Sequence, residues 1–260
     1  MREIEIIPTE FVSSDEMVRG YIVKPTGGGP YPSICKFHGL PGSSDQVHGV
    51  ASSLAFAGFL VLTFDFRGFR HSEGTFSLAG QIDDAHSAIS HILSLEWTTK
   101  DWIGVFGASF GAAIAVCTAA RDERIRSICL RAPVYDTQQF VESQLAELVL
   151  NDIAHSVPDE MYGIEDQSTR IALLNNLRLD AKSYNPMNDI AKLSPRGVFI
   201  TTGDSDMLID VDGVRRLYER ASEPKEMVVI RGADHYLSNM ITRFETEQGI
   251  LEWFKREARI

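Results

Sequence analysis

The chain has 260 residues, enough for one large α/β domain with a small insertion, and its 44% hydrophobic and 23% charged content is ordinary for a soluble globular protein. A formal net charge of -11 argues against nucleic acid and against anionic membranes as partners, and no basic patch overturns it. The stretch from Met1 to Glu5 lacks the apolar core of a signal peptide, and no run approaches a membrane span. Cys35, Cys117 and Cys129 each sit inside an apolar segment with no Cys-x-x-Cys pair, so a reducing, cytoplasmic setting is expected.

In chain order, Glu3 to Ile7 and Met17 to Lys24 are predicted as two antiparallel strands separated by a polar turn around Ser13, Ser14 and Asp15. Thr26 to Pro30 is a loop by composition. Ser33 to His38 makes a third strand that runs into His38-Gly39-Leu40-Pro41-Gly42-Ser43-Ser44. A glycine-rich loop leaving the carboxyl end of a strand can expose backbone N–H groups to a ligand; the alternative is a plain turn before a helix. His38 is read as a structural histidine that holds this loop. Gln46 to Ala57 is a predicted helix, Phe59 to Asp65 a buried strand, and Arg67 to Gly74 another loop at a strand end. Ile82, Ala85, Ile89, Ile92 and Leu93 then recur at helical spacing.

Trp102 to Phe106 suits a strand covered on both faces, and Ala112 to Ala120 is apolar almost all round, as an interior helix would be. Between them lies Gly107-Ala108-Ser109-Phe110-Gly111. A serine on a very tight strand-to-helix turn holds a strained backbone, and side chains two positions before and after it would collide. Glycines at 107 and 111 remove that obstruction and leave the Ser109 hydroxyl clear of the sheet. Gly-x-Ser-x-Gly alone is a weak signal, because a turn without chemistry matches it too; the strand before and the helix after strengthen it. The N–H groups of Leu40 and Phe110 would together make a two-donor pocket for a tetrahedral oxyanion.

Ile125 to Ala132 is a further strand, and this alternation of strands and helices indicates a mostly parallel sheet with helices on both faces. The rhythm breaks after Pro133. Residues 134–189 contain no convincing strand, only helical stretches such as Phe140 to Leu150 and Thr169 to Leu177, and are read as a helical cap inserted into a core of 1–133 and 190–260. Such a cap would sit above the carboxyl ends of the strands, where ligands of open α/β sheets bind. Leu148, Val149, Leu150, Met161, Tyr162, Leu173 and Leu174 would either line an acyl pocket or form the cap's own small core. Gly197 to Gly203 resumes the strands and leads into Asp204-Ser205-Asp206. Val211 to Ala221 is a helix, Glu226 to Arg231 the final strand before Gly232-Ala233-Asp234-His235, and a closing helix carries Phe244, Leu251, Phe254 and Ala258 on one face.

Ser109, Asp206 and His235 thus each follow a predicted parallel strand and emerge on one sheet edge. A serine needs a base to become a nucleophile, histidine is that base, and a carboxylate fixes its tautomer. With this order and with His38-Gly39-Leu40-Pro41-Gly42, Asp65-Phe66-Arg67-Gly68 and Gly203-Asp204-Ser205-Asp206, the chain resembles the α/β-hydrolases from end to end. The nearest pattern is that of the carboxylesterases, feruloyl-type esterases and serine aminopeptidase-like hydrolases. The resemblance implies an α/β-hydrolase fold with a mostly parallel, roughly eight-stranded sheet. It also implies catalysis by Ser109, His235 and Asp206, an oxyanion hole at Leu40 and Phe110, and no cofactor or metal. The acid is Asp206, with Asp204 as the alternative, because the family pattern places it three residues after the glycine. The expected substrate is a small-molecule carboxylic ester. A short peptide or thioester on the same triad is the nearest alternative, and a silent binding module a more distant one; a homodimer is open. Ala108 and Ala112 depart from the family pattern, which weakens transfer of any member's substrate. Arg67 is expected to tie loops together. Glu142, Glu147 and Asp152 would either hold a peptide terminus or form a solvated helix face, and the remaining histidines have no ligand-like partner pattern.

Overall fold

The computed structural model describes residues 3–43 and 45–260. Met1 and Arg2 of the N-terminal stretch, and Ser44 at the end of the glycine-rich loop, lie outside the described residues. Eight strands form one sheet: β1 (Ile4–Ser13), β2 (Glu16–Pro25), β3 (Tyr31–Phe37), β4 (Leu60–Phe64), β5 (Thr98–Ala108), β6 (Ser127–Arg131), β7 (Gly197–Gly203) and β8 (Lys225–Ile230). Their order is β1-β2-β4-β3-β5-β6-β7-β8. The first pair is an antiparallel hairpin in register from Ile4↔Pro25 to Ser13↔Glu16. Its two turn residues, Ser14 and Asp15, have φ of 49° and 68°, the hand that matches strand twist. The hairpin runs ten residues on each side, longer than the sequence pattern suggests, because continuous pairing extends β1 past the apolar residues near its start. From β3 to β8 all neighbours are parallel.

Successive residues of these strands face opposite sides. Cys35, Leu62, Val105 and Ile128 pack toward α2 (Leu78–Ser94), α3 (Phe110–Ala119) and α8 (Val211–Arg220). Ile34, Val61, Phe106 and Cys129 pack toward α1 (Val50–Ala57) and α9 (Met240–Ala258). Every residue of α3 is buried, as its all-round apolar sequence requires. Between β6 and β7 lie α4 (Thr137–Glu142), α5 (Leu145–Ser156), α6 (Gln167–Asp180) and α7 (Pro186–Asp189), with 3₁₀ turns and no named strand. One isolated bridge, Phe69↔Met161, ties this segment to the loop after β4. Among the described residues no helix is long and apolar enough to cross a membrane.

Several boundaries differ from the sequence reading for local reasons. The first helix begins at Val50 rather than Gln46: the Asp45 carboxylate accepts the N–H groups of Val47 and His48, Gln46 is buried among polar partners, and Gly49 enters the helix at φ 64°. The stretch Phe140 to Leu150 is two helices, broken where Ser143 turns extended at ψ 141°. β6 ends at Arg131 because Ala132 takes φ 42°. Phe244 is 63% exposed and does not join the buried face of α9, which is Thr242, Thr246, Ile250, Trp253 and Phe254. A residue two positions from Thr242 and Thr246 projects from the far side of a helix.

Candidate active site

Ser109 stands between β5 and α3 with φ 54° and ψ -120°, a conformation that L-residues rarely adopt. Such a conformation costs of the order of 1–3 kcal/mol and persists only where the surroundings hold it. Here its N–H donates to Arg131 O at 2.9 Å, and its carbonyl accepts from Ala112 and Val134, both at 3.1 Å. The flanking glycines are required by contact. A Cβ at Gly107 would lie 2.4 Å from Gly111 O, and one at Gly111 would lie 2.3 Å from His38 O. The first clash is inside the turn, and the second would push α3 away from the end of β3.

Asp206 and His235 arrive from the ends of β7 and β8. His235 Nδ1 donates to Asp206 Oδ2 at 2.7 Å, and Ser109 Oγ lies 3.1 Å from His235 Nε2. Asp206 is buried, and burial alone would raise its carboxyl pKa. The hydrogen bond from His235 and the N–H groups of Ile209 and Leu208 outweigh it, so the pKa falls below the usual carboxylate value. Its Oδ1 takes both of those N–H groups at 2.8 Å, which fixes the carboxylate plane. Asp204 faces elsewhere: its carboxylate accepts the Gly232 N–H at 2.6 Å and the Ser205 hydroxyl at 3.1 Å, joining the two loops. Those loops touch so closely that a Cβ at Gly203 would lie 2.0 Å from Ala233 O.

The glycine-rich loop is set by His38. Its Nε2 accepts the Phe66 N–H at 3.0 Å, so the proton is on Nδ1, which donates to Gly39 O at 2.7 Å. Burial, with the Arg70 charge adding to it, pushes the His38 pKa down to about 3, so the ring is neutral. The carbonyl and N–H of a trans peptide point to opposite sides, so holding Gly39 O turns the Leu40 N–H away from His38. Gly39 also lies against the serine: a Cβ there would be 3.2 Å from Ser109 Cβ. The N–H groups of Leu40 and of Phe110, the first residue of α3, have no hydrogen-bond partner among the described residues.

Ser109, His235, Leu40 and Phe110 all line one cavity of about 850 Å³. From the segment between β6 and β7, Val134, Phe140, Leu145, Leu148, Val149, Asp152 and Ile153 reach it. The seven apolar residues singled out in this segment divide: Leu148 and Val149 line the cavity, whereas Leu150, Met161, Leu173 and Leu174 are buried in the core. Tyr162 is exposed, its hydroxyl donating to Arg70 O. Of the three acids that might hold a peptide terminus, Asp152 lines the cavity and Glu142 and Glu147 do not.

Arg67 is fastened to Asp84 at 2.7 and 3.0 Å and to the Ser13 hydroxyl at 3.1 Å, joining the loop after β4 to α2 and the first hairpin. His86 pairs with Asp122, His91 with Thr9 and His48 with Asp45. Among the described residues no group of three His, Cys, Asp or Glu could hold a metal ion. Sequence reasoning passed over Arg131, whose Nη1 donates to His235 O at 2.7 Å while its own carbonyl holds the Ser109 N–H. A charged residue closing an otherwise apolar strand was the available signal. It also passed over Lys36, a lysine inside a buried strand.

A family model described as alpha/beta hydrolase fold matches residues 32–164. Uncharacterized protein YfhR of Escherichia coli is 27% identical over 231 residues, covering 87% of this chain and 72% of that protein. Quorum-quenching protein AidA of Acinetobacter baumannii is 29% identical over 135 residues, covering 50% of this chain and 44% of that protein. Among solved structures, Est1E of Butyrivibrio proteoclasticus with ferulic acid bound superimposes at a TM-score of 0.74 with 15% identity, covering 97% of this chain and 100% of that one.

Proposed function

The chain belongs to the alpha/beta hydrolase fold family, and from that premise we propose that it is a serine hydrolase that cleaves carboxylic esters through an acyl-enzyme. The observation that carries this reading is the continuous chain from Ser109 Oγ through His235 to Asp206, at 3.1 and 2.7 Å, opening on a cavity. His235 Nε2 takes the Ser109 proton as Oγ attacks the ester carbonyl, and Asp206 stabilises the imidazolium that forms. The unpartnered N–H groups of Leu40 and Phe110 receive the oxyanion, already oriented by the His38–Gly39 bond and by the start of α3. The alcohol departs with the proton from His235, and water hydrolyses the acyl-enzyme by the same route. Residues 134–189 act as the cap over this site, since six of the seven residues they contribute to the wall are apolar. A cytoplasmic setting belongs to the same reading, supported by three cysteines that are free and buried.

The test is p-nitrophenyl ester hydrolysis across acyl lengths, with fluorophosphonate labelling, on wild type and Ser109→Ala. Wild type is expected to turn over and to label, and the variant to lose both, with turnover falling about a thousandfold or more. Substantial turnover in the variant would move the nucleophile elsewhere. Labelling without ester turnover would shift the reading to peptides or thioesters.

A further inference from the structure

The cavity has two different walls. The side toward residues 134–189 is apolar except for Asp152, whereas the side between the sheet, α1 and α9 carries Lys36 and Arg131. Both rise from the same sheet face: Lys36 pairs with Phe106 on β5, and Arg131 pairs with Ala108 two residues further along. They are two inter-strand spacings and two residues apart, roughly 12 Å at the backbone. Long side chains from such positions can converge on one group above Phe106 and the small side chain of Ala108, which line the same cavity on the strand between them.

Among the described residues neither cation contacts a carboxylate. Lys36 Nζ donates to Gln46 Oε1 at 2.8 Å and lies 3.5 Å from Thr63 Oγ1, and Arg131 donates to the carbonyl of His235. Asp65, the nearby acid that could neutralise Lys36, is held by Arg70 at 3.0 Å. The carboxylates that line the cavity are Asp45 and Asp152, both exposed, and Glu247, which accepts the Ser53 hydroxyl. Burial holds the Lys36 pKa down at about 8, with Arg70 and Arg131 adding to the depression and Asp65 and Asp45 opposing it. Burial likewise lowers the pKa of Arg131, and Asp206 opposes it. Two cations out of bulk water, with donors open to a cavity and no counter-charge in contact, are costly unless an anion completes the site.

We propose that this wall is an anion subsite in which Lys36 and Arg131 hold a carboxylate carried by the ester substrate. The inference deepens the esterase reading and rests on it: the substrate class becomes an ester with an acidic arm, for which half-esters of dicarboxylic acids are the simplest probes.

The experiment measures binding without chemistry. Ser109→Ala protein is titrated calorimetrically with monomethyl succinate, adipate and suberate, each beside the neutral methyl ester of the same chain length. At least one half-ester is expected to bind about tenfold more tightly than its neutral counterpart. Lys36→Met in the same background, or Lys36→Gln if the methionine variant does not fold, should cut that ratio several-fold. Equal affinities in all three pairs, or a ratio untouched by the Lys36 substitution, would overturn the subsite. No bond is broken in these titrations, so their failure leaves the esterase reading intact. Failure of the esterase reading would appear separately in the nitrophenyl assay.

Discussion

Acidification should destabilise this protein through His38 before most carboxylates titrate. The ring is 4% exposed, accepts the Phe66 N–H at Nε2 and donates to Gly39 O from Nδ1. A second proton would have to sit on Nε2, facing the Phe66 N–H, so it breaks a hydrogen bond as well as burying a charge. The folded-state pKa is depressed to about 3 from a reference of 6.5. Between those values the unfolded chain binds the proton and the folded chain does not, so stability rises with pH and is lost as pH falls below 6.5. At pH 5 the deficit covers 1.5 pH units, or about 2 kcal/mol at roughly 1.36 kcal/mol per unit. Urea unfolding of wild type and His38→Gln at pH 7 and pH 5 isolates this contribution, because glutamine offers one donor and one acceptor but cannot titrate. The stability gap between the two proteins should narrow by about 2 kcal/mol at pH 5. A gap that stays constant to within about 0.5 kcal/mol would refute the assignment of His38 as a buried neutral anchor.

Two further outcomes follow from the loops and the turn. Asp206→Asn should lower kcat by about three to four orders of magnitude, whereas Asp204→Asn should lower it far less, since an amide oxygen can still accept the Gly232 N–H. Steady-state kinetics on both variants decides it, and the reverse ranking would move the acid to Asp204. Ser109→Gly should be more stable than Ser109→Ala by about 1 kcal/mol, the relief of the strained φ exceeding glycine's extra unfolded-state entropy. Urea midpoints compare them directly, and an alanine variant of equal or greater stability would show that the turn stores no strain.

The sheet was legible because its parallel strands are short apolar runs bounded by polar or glycine-rich loops; β7 occupies the very residues, Gly197 to Gly203, that its sequence marks out. Ser109, Asp206 and His235 were legible for a related reason, since each follows a strand end and the strands share one edge. What sequence could not supply was side-chain direction. Asp204 and Asp206 are alike in type and two residues apart; the Leu208 and Ile209 N–H groups turn Asp206 toward His235, and the Gly232 N–H holds Asp204 away from it. Phe244 reads as apolar and therefore buried, yet helix phase sets it outward. Gln46 to Gly49 looked helical because helix propensity is blind to the Asp45 carboxylate and Gly49 conformation that hold the chain in a loop.

Arg131 has an implication for how this fold family can diversify. One residue grips the backbone of Ser109 with its carbonyl and the backbone of His235 with its side chain, and Ala132 then anchors to Thr201 on β7. All three fastenings precede the segment that starts at 134, and the strand that follows re-enters the sheet at Gly197. The helices in between hang from a clamp that is already closed on both sides. Exchanging them for a longer, shorter or differently lined insert would therefore change the lining of the cavity and leave the alignment of Ser109 and His235 to the sheet, which makes this interval the natural site for grafting.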